Sequence, residues 1–351
     1  MDFTFSEDQL LFQESVKDFL INEVTPETIR AAWQTDIGRS DGLWQQFVEL
    51  GLTGITVPEA FGGLGMNELD FVLLAQEAGY VALSEPLVHS ALVAVPTILQ
   101  IDSSEFSAQW LPKIAAGEAK VVVGLAINGL VEDAHIADLL ILEHGGALYA
   151  VTQEQATLRY NESIDLGRKL FAVAFDVAAA IKLADGDAAQ QIINGALNRG
   201  ALAAAAQALG ATQRMIDISV QYTSERKQFG VAIGTFQAVK HHMANIAYKL
   251  EYAKTPVYRA AYALANDLSS AGRNVSHAKI VACEVADLAA KNSIQVHGAM
   301  GYTWEMDLHI FMKRAWALNS SYGTAGFHKQ RLAAYVFSEE ALLGAGNTFA
   351  A

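Results

Sequence analysis

Apolar residues in the first hundred positions recur at the spacing of helices. Phe12, Val16, Phe19 and Leu20 share one helical face, and Ser6 with Gln9 three residues later forms a capping box before it. Thr25-Pro26 places a cap and an N1 proline ahead of a second helix. Trp44, Phe47 and Val48 continue the spacing until Gly51 and the loop Pro58-Glu59-Ala60-Phe61-Gly62-Gly63-Leu64-Gly65 break it. Helix resumes near Asn67 and runs to Gly117, with interruptions expected at Pro86 and Pro96. From Lys120 to about Asp176 the texture changes. Short β-branched or alternating runs at 121–123, 136–142, 148–152 and 170–175, separated by Gly145-Gly146 and Asn161, predict a small β module. Steps of three and four then return in Leu202, Ala206, Leu209, Gln213, Ile216 and Val220, and again in Phe236, Val239, Met243, Ile246, Leu250 and Ala253. These two long helices read as antiparallel partners in a bundle, joined through 230–234, with further helices at 273–297, 306–318 and 325–337. The fold class is mainly α with a small β module: a helical domain at 1–119, a β domain at 120–180 and a helical bundle at 181–351.

Composition narrows the function more than the fold. The chain has 351 residues, 52% of them apolar, enough for a large core spread over two or three domains. Lys and Arg number 24 against 38 Asp and Glu, a net charge of −14 distributed along the chain. Nucleic-acid affinity comes mainly from cations that neutralise phosphates, so small molecules or proteins are the expected partners. The single cysteine, Cys283, allows no internal disulfide and reads as a small core residue in a reducing compartment. Met1-Asp2-Phe3-Thr4-Phe5 lacks the basic and apolar regions of a signal peptide. The apolar stretches at 92–101 and 201–211 are too short or too interrupted to cross a bilayer, so a soluble cytoplasmic protein is expected.

Few motifs carry chemistry alone. Gly62-Gly63-Leu64-Gly65 and Gly298-Ala299-Met300-Gly301 match neither the Rossmann nor the Walker spacing and read first as turns needing positive φ. The second is flanked by Gln295, His297 and Tyr302, where a loop between helices can offer amides to a ligand. His241-His242 point about 100° apart on a helix and have no companion ligands, so no metal site is expected. No GxSxG elbow supports acyl transfer. Ser224-Glu225-Arg226-Lys227-Gln228-Phe229-Gly230 reads equally as a polar helix end with cations set against the dipole or as a ligand site.

Taken in order, these pieces resemble the acyl-CoA dehydrogenase family of flavoproteins over nearly the whole chain. The segment from Leu50 to Gly65, Arg226-Lys227-Gln228-Phe229-Gly230, Phe236-Gln237, and Gln295-Val296-His297-Gly298-Ala299-Met300-Gly301-Tyr302 occur in that family's order and spacing. The resemblance implies an α-helical domain, a small β-barrel-like domain and a C-terminal four-helix bundle, with FAD bound across a subunit interface. By motif position it implies that Arg226 pairs with the FAD pyrophosphate, Phe229 packs on the cofactor and Gln237 hydrogen-bonds it. A guanidinium suits a diphosphate by charge and fork geometry. Gln295 and the Gly298 loop would meet the adenosine half of a neighbouring protomer's FAD, with Thr324 in a similar role. Acyl-CoA would be the substrate and electron-transfer flavoprotein the electron acceptor.

Two departures from the family pattern shape the functional expectation. The family's base is a glutamate in a Tyr-Glu-Gly-Thr segment, where this chain has Ser321-Tyr322-Gly323-Thr324; Tyr322 stands in the glutamate's place. Some relatives carry the glutamate on the earlier long helix instead, and that slot is Gly200. Within the β module, Leu125-Ala126-Ile127-Asn128-Gly129-Leu130 replaces the Thr-Glu-Pro-containing flavin loop, and the module is shortened. Heteromeric acyl-CoA dehydrogenases for bulky thioesters such as steroid side chains combine a base-lacking subunit with a partner that supplies the base, and this chain resembles the former. Two other readings stay open: a homo-oligomer with an unorthodox base such as Asp217 or Glu225, and a non-enzymatic scaffold.

Overall fold

A computed structural model of the chain describes residues 4–339 and 341–347; Met1 to Phe3 of the N-terminal reading lie outside the described residues. The N-terminal helices are α1 (Glu7–Glu23), α2 (Pro26–Trp33), α3 (Asp41–Glu49), α4 (Glu68–Tyr80), α5 (Leu87–His89), α6 (Val95–Gln100) and α7 (Ser104–Ala115). The capping box and the N1 proline are those read from the sequence, and two further serine caps join them. Ser6 and Gln9 form the capping box of α1, Pro26 opens α2, and Ser40 and Ser103 cap α3 and α7. Pro96 does not interrupt the chain's helical course. Residues Ser90–Ala94 widen into a π-helical turn that leads into α6, which absorbs a proline with no N–H to give. Pro112 and Pro256 likewise lie inside helices.

Seven strands follow: β1 (Val121–Gly124), β2 (Val131–Glu132), β3 (Leu139–His144), β4 (Ala147–Val151), β5 (Ala156–Asn161), β6 (Leu170–Phe175) and β7 (Ile181–Ala184). They form a four-stranded sheet, β1-β3-β4-β7, in which only β1 and β3 are parallel, and an antiparallel sheet β2-β6-β5. Val122, Leu140, Leu142, Tyr149 and Val151 of the first sheet share one core with Phe171, Val131, Leu158 and Val173 of the second. β4 is buried along its whole length, which is why it reads as an unbroken apolar run. β5 escapes a hydropathy reading because its sequence, ATLRYN, is largely solvent-facing.

The remaining helices are α8 (Gly186–Glu225), α9 (Gln237–Ala265), α10 (Ala271–His297), α11 (Leu308–Ser320) and α12 (Ala325–Val336), with the two-strand hairpin β8 (Lys227–Gln228) and β9 (Val231–Ala232) between α8 and α9. The chain divides into two compact units: one of residues up to Pro26, Val72–Leu83 and Ala204 onward, the other of Glu27–Phe71 and Ser84–Ala203. The first unit holds the bundle. Its core uses small residues such as Ala260, Ala282, Ala286 and Ala290 beside Met215, Ile246, Leu250 and Phe311. Gly79 of α4 and Gly210 of α8 allow backbone contact, since a Cβ on Gly210 would stand 1.8 Å from the Gln76 carbonyl oxygen and one on Gly79 would stand 2.1 Å from that of Gln207. Cys283 is a buried core residue, and the equally buried Lys279 donates to the Leu318 and Asn319 carbonyls that end α11. Among the described residues no helix is long and apolar enough to cross a membrane.

Candidate functional site

The site is assembled where α8 ends. After Glu225 the Arg226 amide donates to the Tyr222 carbonyl (2.9 Å), and the chain turns through a hairpin in which Lys227 pairs with Ala232 and Gln228 with Val231. Both turn residues have positive φ, Phe229 at 51° and Gly230 at 81°, the requirement of a tight two-residue hairpin. A left-handed phenylalanine costs about 1–2 kcal/mol. The residue is 92% exposed, and its ring meets Phe236 edge to face at a centroid distance of 6.2 Å. Phe236 caps α9, whose first residue is the exposed Gln237. Gly234 fits because Thr223 lies close: a Cβ there would be 3.0 Å from the Thr223 carbonyl oxygen.

Two contacts bring the end of α10 to the same place. The His297 ring stacks on Tyr222 (centroids 4.3 Å, 19° between planes), and the Tyr222 hydroxyl donates to the His297 carbonyl (3.4 Å). The Asn292 amide donates to the His242 carbonyl on α9 (3.4 Å). Arg226, Phe229, Gln237, Gln295 and Gly298 therefore collect at one end of the bundle. Gly298 has φ 59° and ψ −137°, and a Cβ placed on it would meet nothing within 4 Å, so its backbone is open to a ligand. Gly301 instead needs smallness, because a Cβ there would lie 3.1 Å from the Ile294 carbonyl oxygen.

These residues fit a flavin dinucleotide. The exposed Arg226 guanidinium has no partner among the described residues, and the N-terminus of α9, a helix of 29 residues, adds its positive end to the same region. Phe229 is strained and almost wholly exposed, an arrangement that local stability disfavours and that a ring system packed on it repays.

Thr324 lies elsewhere. Its hydroxyl accepts from the Phe327 amide (3.3 Å) as the cap of α12. The buried His328 ties that turn to the start of α10, through Nε2 to the Tyr322 carbonyl (2.9 Å) and Nδ1 to the Ser276 hydroxyl (3.1 Å). Ser276 and Gln295 are on one helix, about 28 Å apart at a rise of ~1.5 Å per residue. The turn itself is built from Tyr322 (φ 54°) and Gly323 (φ 96°). Gly200, the alternative base position, is buried within α8. Asp217 accepts from the Tyr80 hydroxyl (2.9 Å) and the Gln213 amide (2.8 Å), and the exposed Glu225 accepts from Gln221 (3.1 Å). In the β module, residues Ala126–Asn128 form a 3₁₀ turn closed by the Ala126 amide on Glu143 (2.9 Å). No group of three or more His, Cys, Asp or Glu among the described residues is placed to hold a metal ion. Tyr222 and His328 escape a sequence reading, since a tyrosine and a histidine on helices carry no distinguishing pattern.

Residues 190–337 match the acyl-CoA dehydrogenase C-terminal domain and residues 6–118 its N-terminal domain. Over 334 residues the chain is 30% identical to acyl-CoA dehydrogenase IpdE2 of Mycolicibacterium smegmatis, covering 95% of this chain and 100% of that protein. This chain belongs to the acyl-CoA dehydrogenase family. It is an oxidoreductase of the CH–CH class whose family cofactor is FAD. A chain of the ChsE4-ChsE5 complex from Mycobacterium tuberculosis shares its fold, with a TM-score of 0.86 at 21% identity over 98% of this chain and 100% of that one. A variant of the Tcur3481-Tcur3483 steroid ACAD does so at a TM-score of 0.81 and 21% identity, over 93% and 97% of the two chains. The expected architecture of helical domain, β module and helical bundle is thus the family's own.

Proposed function

We propose that this chain is the base-lacking subunit of a heteromeric acyl-CoA dehydrogenase that desaturates a bulky, steroid-type CoA thioester. One observation carries the reading: both positions from which the family draws its base are without a carboxylate, one being Tyr322 and the other Gly200. Desaturation removes the α-hydrogen as a proton and the β-hydrogen with its electron pair. FAD, when bound, supplies the acceptor for that hydride. A phenol with an ordinary pKa near 10 is a poor general base at neutral pH, so the proton must go to a carboxylate on another chain. The two carboxylates on α8 do not substitute. Asp217 is held by Tyr80 and Gln213, and Glu225 is solvated at the helix end.

What this chain contributes is the far end of the flavin. Arg226 binds the diphosphate, Phe229 packs on the cofactor, Gln237 hydrogen-bonds it, and Gln295 with the Gly298 loop meets the adenosine half of a neighbouring protomer's FAD. Thr324, at the opposite end of α10, serves a second flavin in the assembly. The substrate class follows the steroid ACAD that shares the fold, and a partner chain follows the two-component complexes among those structures. Electron-transfer flavoprotein is the proposed electron acceptor.

The test is to assay the chain alone and co-purified with a second acyl-CoA dehydrogenase chain that carries the glutamate. Dye reduction driven by a steroid-side-chain CoA thioester is expected from the pair only. Turnover by this chain alone overturns the reading, and a pair that binds no flavin replaces it with a scaffold.

A further inference from the structure

His297 is a histidine where the packing asks for a plain aromatic ring. It is 3% exposed and stacked on Tyr222. Its Nδ1 lies 2.7 Å from the Ser293 carbonyl, and because a carbonyl only accepts, Nδ1 carries the proton. Nε2 is then a bare acceptor, buried and without a donor among the described residues. A buried acceptor left unpaired costs stability that phenylalanine would not. The residue also occupies a mechanical position. Tyr222 stands one helical turn before Arg226 and is joined to it by the Arg226 amide, while His297 immediately precedes Gly298. The Tyr222–His297 stack is thus a direct bridge between the Arg226 arm and the Gly298 loop.

Resting on the reading that this end of the bundle holds FAD, we propose that His297 is a positioning residue for the cofactor: with Tyr222 it sets the spacing between Arg226 and Gly298, and protonating it releases the flavin. A proton added at Nε2 finds no acceptor and puts a charge in a buried stack. Burial already lowers the affinity of this ring for a proton, opposed only by the Ser293 carbonyl, and no charged side chain contributes. Tyr222 from α8 stacks on it, the Ser293 carbonyl of its own helix bonds it, and the turn at Gly301 packs against its Cβ, where a Cβ added to Gly301 would stand 3.1 Å away. The expelled stack moves Gly298, and with it the amide offered to the ligand.

The experiment measures FAD dissociation constants of the assembled protein by flavin fluorescence from pH 7.5 to 5, for the natural sequence, His297→Phe and Arg226→Ala. The natural protein should lose affinity severalfold as the pH falls toward 5, with the loss setting in below the ordinary imidazole range because burial lowers the ring's affinity for a proton. His297→Phe should match it within about twofold at pH 7.5 and hold its flavin at pH 5. Superimposable pH curves for the two overturn the role of His297. Unchanged affinity in Arg226→Ala instead overturns the placement of FAD at this end. If His297→Phe does not fold, imidazole NMR of the natural protein decides: His297 must titrate at the pH of flavin release, and titration at any other pH refutes the proposal.

Discussion

Phe229 concentrates the tension between stability and function in one residue. Its left-handed backbone and exposed ring cost the folded chain about 1–2 kcal/mol. Phe229→Asn, a residue that tolerates this conformation, should raise the thermal midpoint of the flavin-free protein and weaken FAD binding; a drop in both would show that the ring packs on the protein instead. His328 gives a second test of a single side chain. Burial pushes its pKa down to about 4 from 6.5. The unfolded chain therefore binds more protons than the folded one below pH 6.5, so its stabilising contacts with Ser276 and Tyr322 are whole above that pH and are lost as it falls toward 4. The stability difference between the natural protein and His328→Gln, from urea unfolding, should shrink across that window. Asp133 and Glu77, whose carboxyls burial raises, titrate in both proteins and drop out of the difference. Neither His328 nor the Tyr222–His297 stack is legible in the sequence, because each acts through a partner far along the chain.

Among the helices and strands, the hydropathy pattern is a good guide wherever one face is buried. The capping box of α1, the N1 proline of α2 and the steps along α8 and α9 all correspond to observed helices. It falls short where burial is absent, as in β5, or where geometry adapts, as in the π turn before Pro96. The glycine loops divide in the same way. Gly62 and Gly65 have the positive φ a turn implies, but Gly63 is needed for space, since a Cβ would stand 2.0 Å from the Val57 carbonyl oxygen. The crossing of α4 and α8 rests on the same kind of contact. Gly210→Ala must push two backbones apart, and overpacking of this sort costs about 1–3 kcal/mol or more. Its unfolding midpoint should fall well below that of Gly326→Ala near the start of α12, where a Cβ would stand 3.7 Å from the Thr324 hydroxyl oxygen. Equal midpoints would mean the crossing is loose.

Across the full chain, the order of motifs reveals the family. The α8–α9 hairpin and the Tyr222–His297 contact then bring residues as distant as 226 and 298 to one end of the bundle. What the chain lacks is as legible as what it holds: glycine and tyrosine at the two positions where the resemblance places the base are visible without coordinates. On the proposed reading the chain holds flavin but cannot take the α-proton. The decisive experiment is an anaerobic titration of the FAD-loaded pair with a steroid-side-chain CoA thioester, followed through the visible flavin absorbance, with the partner's glutamate intact or replaced by glutamine. The flavin should bleach only where the glutamate is intact; bleaching in the glutamine pair would contradict the reading.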